Sequence, residues 1–334
     1  MVTIFFVIGI IATVIMILLL PSTSFCGHRR TITTLFMFFY SLLYFFIIQY
    51  GLTSYTSLEL PLFLGASILI LYLTMVDKYI NQKIDLSEFL KIVLFIIIPT
   101  LLCFFFQTDN NQIRLVDIVV LALILAMTDS GSINKVPMLY RENTIEFYGL
   151  STTSNLLILF IFLGYRRIDI DLFWINTIDV WVLTLLASFL CCFFTFLIGF
   201  KLKYISFNNT EKVGLKKLII LIIFNFFHVA IAEEIVYRGI IYNYLRQLVG
   251  GGDWIPLILS TLFFGYQHIA YAGKRMFVLA TIAGFFYCLI YILTQNLLTA
   301  VIVHTITNII WRSFFILTSD LDSIDKSNLE VPKS

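Results

Sequence analysis

The sequence of 334 residues is 60% hydrophobic and only 13% charged, and its mean hydropathy is +0.96. A water-soluble fold needs a polar and charged exterior, so this composition excludes one and indicates a polytopic membrane protein. The net charge of +2 is small and gives no case for nucleic-acid binding, so the partner that the composition implies is the lipid bilayer. We therefore expect a multi-pass integral membrane protein, in the plasma membrane if the source is bacterial.

Apolar stretches that could cross a bilayer recur along most of the chain. A hydrocarbon core of about 30 Å needs roughly 20 apolar residues for each helical crossing. About 11 stretches meet or approach this length, which predicts an all-α transmembrane helix bundle of about 11 spans, with a range of roughly 8 to 11. The fifth and sixth stretches are short, and either could be interfacial or re-entrant instead of a full crossing. The predicted spans are Val2–Leu20, Ile32–Tyr50, Leu60–Val76, Phe89–Phe106, Leu115–Met127, Thr152–Tyr165, Val180–Phe200, Leu218–Val249, Trp254–Ala272, Met276–Thr294 and Leu297–Leu317.

Changes in polarity divide the chain into four predicted parts. The first apolar run has no basic residue ahead of it, so we expect a retained span instead of a signal peptide. A polar stretch at residues 128–147 is the best candidate for a boundary. The predicted parts are N-terminal spans at 1–127, connecting loop and spans at 128–217, a core with catalytic potential at 218–317 and a polar C-terminal tail at 318–334.

Ionisable and polar residues occur inside the apolar segments of the third part. Two adjacent glutamates, Glu233 and Glu234, lie near the middle of one predicted span, and His268 and His304 lie on two later ones. An ionised carboxylate inside a bilayer costs roughly 2.5 kcal/mol or more, so such residues are by default functional. The first hypothesis is a membrane-embedded hydrolytic site.

Helical geometry indicates which of these side chains can meet. Residues four apart project from one helix face, as Glu234 and Arg238 do, and also His304 and Asn308. Adjacent residues differ by about 100° around the axis, so Glu233 and Glu234 should have different roles. Because a buried charge is tolerable when it is paired, Glu234 is assigned to Arg238 as a structural ion pair.

This division leaves Glu233 to face the two histidines as the candidate general base. A poorly solvated carboxylate is suited to take a proton from water, while imidazoles and the Asn308 amide can hold the water or donate to a developing oxyanion. Each residue has an alternative structural explanation, since interhelical hydrogen bonding also places polar groups in membrane helices. His228 and Asn225 are expected to be packing residues outside the site.

Three motifs in this order carry a family resemblance: Glu-Glu-x-x-x-Arg from Glu233 to Arg238, Phe-x-x-x-His from Phe264 to His268, and His-x-x-x-Asn from His304 to Asn308. Together they resemble the CPBP family, the CAAX-protease and bacteriocin-processing intramembrane proteases, also called the Abi family. The resemblance covers roughly residues 218–317, under a third of the chain. It does not explain the N-terminal spans.

The resemblance implies an endopeptidase that acts on membrane-associated or prenylated peptides and proteins. In this scheme Glu233 activates water, His268 assists, Phe264 supports the site, and His304 and Asn308 either bind a metal or stabilise the oxyanion. Two histidines and a glutamate, here His268, His304 and Glu233, would suit zinc, but Asn is a poor zinc ligand and the chain has no His-Glu-x-x-His motif. The metallo-type and glutamate-type mechanisms both stay open.

Two other function classes are compatible with this sequence. One is a non-proteolytic regulator of the same fold that binds a membrane partner. The other is a secondary transporter, although the first half of the chain has no counterpart to Glu233. A prenylated carboxyl terminus, a bacteriocin leader and a signalling propeptide would demand similar chemistry, so the sequence does not choose a substrate.

Overall fold

The computed structural model describes residues 86–106, 113–129, 137–139, 147–148, 175–207 and 214–317, together with residues 154, 157–158, 161–162, 166, 168 and 170–172. The chain divides into two compact units, with the boundary between Ile170 and Asp171. The predicted spans Val2–Leu20, Ile32–Tyr50 and Leu60–Val76, and the tail at 318–334, lie outside the described residues. The count of about 11 spans and the predicted domain boundaries therefore stay predictions.

Two apolar helices form the described core of the first unit. Helix α1 is Leu86–Phe105 and helix α2 is Leu115–Asp129, and the two pack against each other. Fully buried Phe95, Ile96 and Ile124 lie in this core, so burial of apolar side chains holds the pair together. Two short strands, β1 (Pro137–Leu139) and β2 (Phe147–Tyr148), pair antiparallel later in the unit.

A buried ion pair lies in the same unit. The Arg166 guanidinium donates from Nε and Nη2 to the two Asp117 carboxylate oxygens, at 2.7 Å each, and the Arg114 backbone N–H donates to the same carboxylate at 2.8 Å. The Arg166 and Asp117 side chains are only 3% and 0% exposed. Bidentate geometry is what makes such a pair tolerable away from water.

The described residues of the second unit form five helices and one small sheet. Helix α4 is continuous but changes its winding, because α-helical Leu215–Phe224, Ile231–Glu234 and Asn243–Leu248 alternate with π-helical Asn225–Ala230 and Ile235–Tyr242. The other elements are α3 (Ile178–Lys201), β3 (Ile205–Phe207), α5 (Trp254–Gln267), α6 (Ile269–Thr294), α7 (Leu297–Phe314) and β4 (Phe315–Leu317).

Three helices of the described residues are long and apolar enough to cross a membrane: Ile178–Lys201, Ala272–Thr294 and Leu297–Phe314. Helix α3 also exposes large apolar side chains, among them Val182, Phe189 and Phe193. An apolar exterior of this kind is unfavourable in water and suits contact with lipid. The helices therefore support an integral membrane protein.

The segment predicted as one span from Trp254 to Ala272 is divided in the structure. Helix α5 ends at Gln267 after 14 residues, and His268 lies between it and α6. Gly273 has φ +77°, a conformation that side chains other than glycine rarely adopt, and it breaks the helical path of α6 near its start. His268 consequently lies at a helix end, and not near the middle of a crossing.

The last predicted span ends three residues early. Helix α7 stops at Phe314, and Phe315–Leu317 forms strand β4 antiparallel to β3. Aromatic side chains favour extended backbone, and Phe315 packs on Phe196 with ring centroids 4.4 Å apart. The described fold is therefore mostly helical, in agreement with the predicted helix bundle, and two short two-stranded sheets accompany the helices.

We expect Arg166→Ala to lower the free energy of unfolding by about 3–5 kcal/mol, since it leaves the Asp117 carboxylate buried without its cation. Thermal unfolding in detergent measures the loss. The control is Arg114→Ala, because Arg114 contacts Asp117 through its backbone and its side chain is exposed. This control should change stability by no more than about 0.5 kcal/mol. Equal stability of the two variants would contradict the assignment.

Candidate active site

The two adjacent glutamates lie on a short α-helical turn of α4 between two π-helical segments. π-helical turns are rare and are found frequently at functional sites. Hydrophobic patterning predicts a helix here but does not distinguish its winding. The winding is therefore a feature of the site that the sequence did not reveal.

Glu234 and Arg238 form a fully buried ion pair. Arg238 Nη1 lies 3.2 Å from Glu234 Oε1 and 3.1 Å from Oε2, and both side chains are 0% exposed. Arg238 Nη2 also donates to the Gly284 carbonyl of α6 at 2.6 Å. The guanidinium carbon lies 5.0 Å from the Phe264 ring centroid and 5.5 Å from that of Tyr287. Aromatic faces attract cations, so the pair is enclosed by groups that stabilise it.

His304 of α7 contacts both glutamates through different ring nitrogens. Its Nδ1 lies 2.8 Å from Glu234 Oε1, and its Nε2 lies 3.7 Å from Glu233 Oε2. An ionised carboxylate only accepts hydrogen bonds, so Nδ1 donates to Glu234 and Nε2 is the nitrogen directed at Glu233. Helical spacing pairs Glu234 with Arg238, and in the structure His304 is a second partner of Glu234.

His268 lies at the end of α5, held by the backbone and by Phe264. Its Nδ1 donates to the Phe264 carbonyl at 2.8 Å, because a carbonyl can only accept. The Phe264 ring centroid lies 4.9 Å from the His268 imidazole and 5.8 Å from that of His304. The Tyr237 hydroxyl, on α4, donates to the neighbouring Gln267 side chain and joins α4 to this helix end. Phe264 therefore touches both imidazoles of the site.

Glu233 and Asn308 are the two candidate residues that are partly open. The Glu233 side chain is 34% exposed, whereas that of Glu234 is 0% exposed. Asn308 is half-buried, one turn after His304 on α7. Within the part of the chain that the structure describes, its amide forms no hydrogen bond. Both groups can therefore reach an added water or substrate.

The candidate zinc ligands are not gathered as a metal site. Among the described residues, no group of three or more His, Cys, Asp or Glu side chains is spaced to hold a metal ion. His268, His304 and Glu233 therefore do not fit a zinc site in the described geometry. Possible zinc binding therefore stays a prediction.

Two residues of α6 contribute to the site, although no motif marked them. The Tyr287 ring stacks on the His304 imidazole with centroids 4.5 Å apart and an interplanar angle of 15°. Gly284 allows a close approach, because a Cβ there would lie 2.8 Å from Phe264 Cδ1 and 3.2 Å from Arg238 Nη2. Their three-residue spacing puts them on one helix face, but that signal is too common to identify a site.

Comparison with known proteins agrees with the motif resemblance. Residues 215–310 match the family model described as "Type II CAAX prenyl endopeptidase Rce1-like". The matched segment begins at the start of α4 and contains all seven motif residues, from Glu233 to Asn308. The resemblance to CAAX prenyl proteases is confirmed over this segment. No curated protein and no solved structure gives a significant match.

Arg238→Ala should destabilise the protein by about 3–5 kcal/mol, because it leaves Glu234 buried without its cation. Arg246 provides a matched control on the same helix, since it pairs with Asp253 but is 41% exposed. Exposed pairs are worth about 0–1 kcal/mol, so Arg246→Ala should be close to wild type. Thermal unfolding in detergent compares the two. A wild-type melting midpoint for Arg238→Ala would show that the buried pair is not structural.

Proposed function

We propose that the chain is an intramembrane endopeptidase that hydrolyses peptide bonds of membrane-associated or prenylated peptides and proteins. The carrying observation is the 3.7 Å separation between Glu233 Oε2 and His304 Nε2, in a site where Nδ1 of the same imidazole is engaged by Glu234. The family match over residues 215–310 supports a CAAX-type protease. The apolar helices support a substrate that is presented at or in the bilayer.

Glu233 is the proposed general base. A water molecule beside Glu233 Oε2 and His304 Nε2 can donate one hydrogen bond to each of these atoms, because the two atoms are only 3.7 Å apart. Glu233 takes one proton as the water oxygen bonds to the scissile carbonyl carbon, which gives a tetrahedral intermediate with a negatively charged oxygen. When the carbon–nitrogen bond breaks, the protonated Glu233 returns that proton to the leaving amine.

Asn308 and the histidines are the proposed supporting groups. The Asn308 amide carries two N–H donors and is partly open, so it can donate to the charged oxygen of the intermediate. His268, whose Nδ1 donates to the Phe264 carbonyl, is assigned an assisting role because the Phe264 ring contacts both its imidazole and that of His304. Glu234 acts through His304, because it fixes which nitrogen of the imidazole faces Glu233.

Cleavage of a defined probe tests the proposal. Purified full-length protein in lipid bicelles is incubated with a fluorescence-quenched, farnesylated peptide that ends in a C-a-a-X sequence. Release of the terminal tripeptide, identified by mass spectrometry, is the expected result. Binding of the probe without any cleavage would instead favour the non-proteolytic regulator.

Glu233→Gln should lower the rate of cleavage by at least roughly a hundredfold, because it keeps the side-chain volume but removes the base. The control is Asp179→Asn, which makes the same chemical change at an exposed carboxylate of α3. Both variants should fold and insert like wild type, and only the first should lose activity. Wild-type turnover by purified Glu233→Gln would refute the mechanism.

Asn308→Ala and a chelator together separate the glutamate-type mechanism from a zinc mechanism. If Asn308 is an oxyanion donor, Asn308→Ala should cost roughly a hundredfold in kcat, and a strong chelator should leave wild-type activity unchanged. A zinc enzyme would contain about one metal per chain and lose activity reversibly on chelation. Stoichiometric zinc by elemental analysis, with activity restored by added zinc, would overturn the glutamate-type assignment.

A further inference from the structure

Helix α6 carries none of the motif residues, yet it touches the site at two points. The Tyr287 ring lies on His304, and the Gly284 carbonyl accepts a hydrogen bond from Arg238. Tyr287 is 1% exposed, and His304, on which its ring lies, is 3% exposed. The contacts are therefore made in the interior of the second unit, away from its surroundings.

The Tyr287 ring restricts a rotation of the His304 imidazole that the contacts to Glu233 and Glu234 leave possible. An imidazole rotates about its Cβ–Cγ bond in a broad torsional well, and small rotations change where both nitrogens point. The contacts to Glu234 and Glu233 act at the ring edge, whereas Tyr287 lies parallel to the ring face, within 15°. A parallel aromatic surface resists tilting of the ring. It thus holds Nε2 towards Glu233.

The neighbouring tyrosine of the same helix shows that this contact is specific to Tyr287. Tyr291, one turn later, is also 1% exposed, but its ring meets Tyr242 at 5.6 Å and its hydroxyl is bonded to Asn243 and Asp171. None of these three partners belongs to the candidate site. Tyr287 and Tyr291 are therefore equally buried on one helix and differ mainly in the residues that they contact.

We infer that Tyr287 is a positioning residue for His304, with Gly284 as the backbone anchor of Arg238 on the same helix. This inference rests on the proposed peptidase function. Tyr287 touches neither the water nor the scissile bond in the scheme above. Its effect on catalysis passes through the orientation of the His304 imidazole.

Three variants and the wild type, measured on the farnesylated C-a-a-X peptide, test the inference. Tyr287→Leu removes the ring, Tyr287→Phe keeps it, and Tyr291→Leu makes the matched change away from the site. We expect Tyr287→Leu to lower kcat by about tenfold to a hundredfold with KM within about twofold, since misplacement of a reacting group affects the chemical step. Tyr287→Phe should stay within about threefold of wild type, because the stacking surface is kept. Wild type is the fourth measurement.

The outcomes separate this inference from the proposed function. If wild type cleaves the peptide but Tyr287→Leu keeps its kcat, or Tyr291→Leu loses as much kcat at equal thermal stability, the positioning assignment is wrong. If Tyr287→Phe is as impaired as Tyr287→Leu, the ring surface is not what matters and the assignment again fails. Absence of cleavage by wild type refutes the proposed function itself.

If Tyr287→Leu does not fold, Gly284→Ala provides a second test of the contribution of α6 to the site. Its Cβ would press on Phe264 and Arg238, so kcat should fall by about tenfold or more. Gly199→Ala is the control, because a Cβ there would lie 2.7 Å from Ile205 Cδ1 and would crowd only apolar side chains. A Gly284→Ala protein with wild-type kcat, or an equal loss of kcat in Gly199→Ala, would overturn the inference.

Discussion

The buried pair of Glu234 and Arg238 is the constraint on which the rest of the site depends. Two charges at 0% exposure lose their hydration, and this loss is offset only when good geometry and further hydrogen bonds surround the pair. Three helices supply those groups: α5 gives the Phe264 ring, α6 gives the Gly284 carbonyl, and α7 gives His304. The ion pair therefore has contacts with three helices at the point where the other polar residues of the site lie.

The same packing gives two chemically identical side chains different environments. Glu234 is enclosed and has Arg238 and His304 as partners, whereas Glu233 is 34% exposed and, among the described residues, has only the longer contact to His304 Nε2. A general base must exchange a proton with water, so it needs access. A carboxylate that fixes an imidazole tautomer needs enclosure. Burial, more than residue type, separates the proposed roles.

Sequence predicted the parts of the site that depend on local geometry. The spacing of Glu234 and Arg238 follows from the helical period, and the structure contains that contact. Strand β4, in contrast, depends on pairing with β3 more than 100 residues earlier. The Tyr287 stack likewise depends on how α6 packs against α7. Such long-range contacts leave no periodic signal in one sequence.

Adjacent glutamates can act on one histidine without pointing at the same place. Side chains about 100° apart on an α-helix diverge, which argues that Glu233 and Glu234 need separate targets. An imidazole offers two, because Nδ1 and Nε2 lie at different edges of the ring and meet the two carboxylates separately. His304 therefore joins the enclosed ion pair to Glu233, the proposed general base. A substitution of Arg238 can therefore affect Glu233 through Glu234 and the His304 imidazole, without replacing any residue that contacts the substrate in the proposed mechanism.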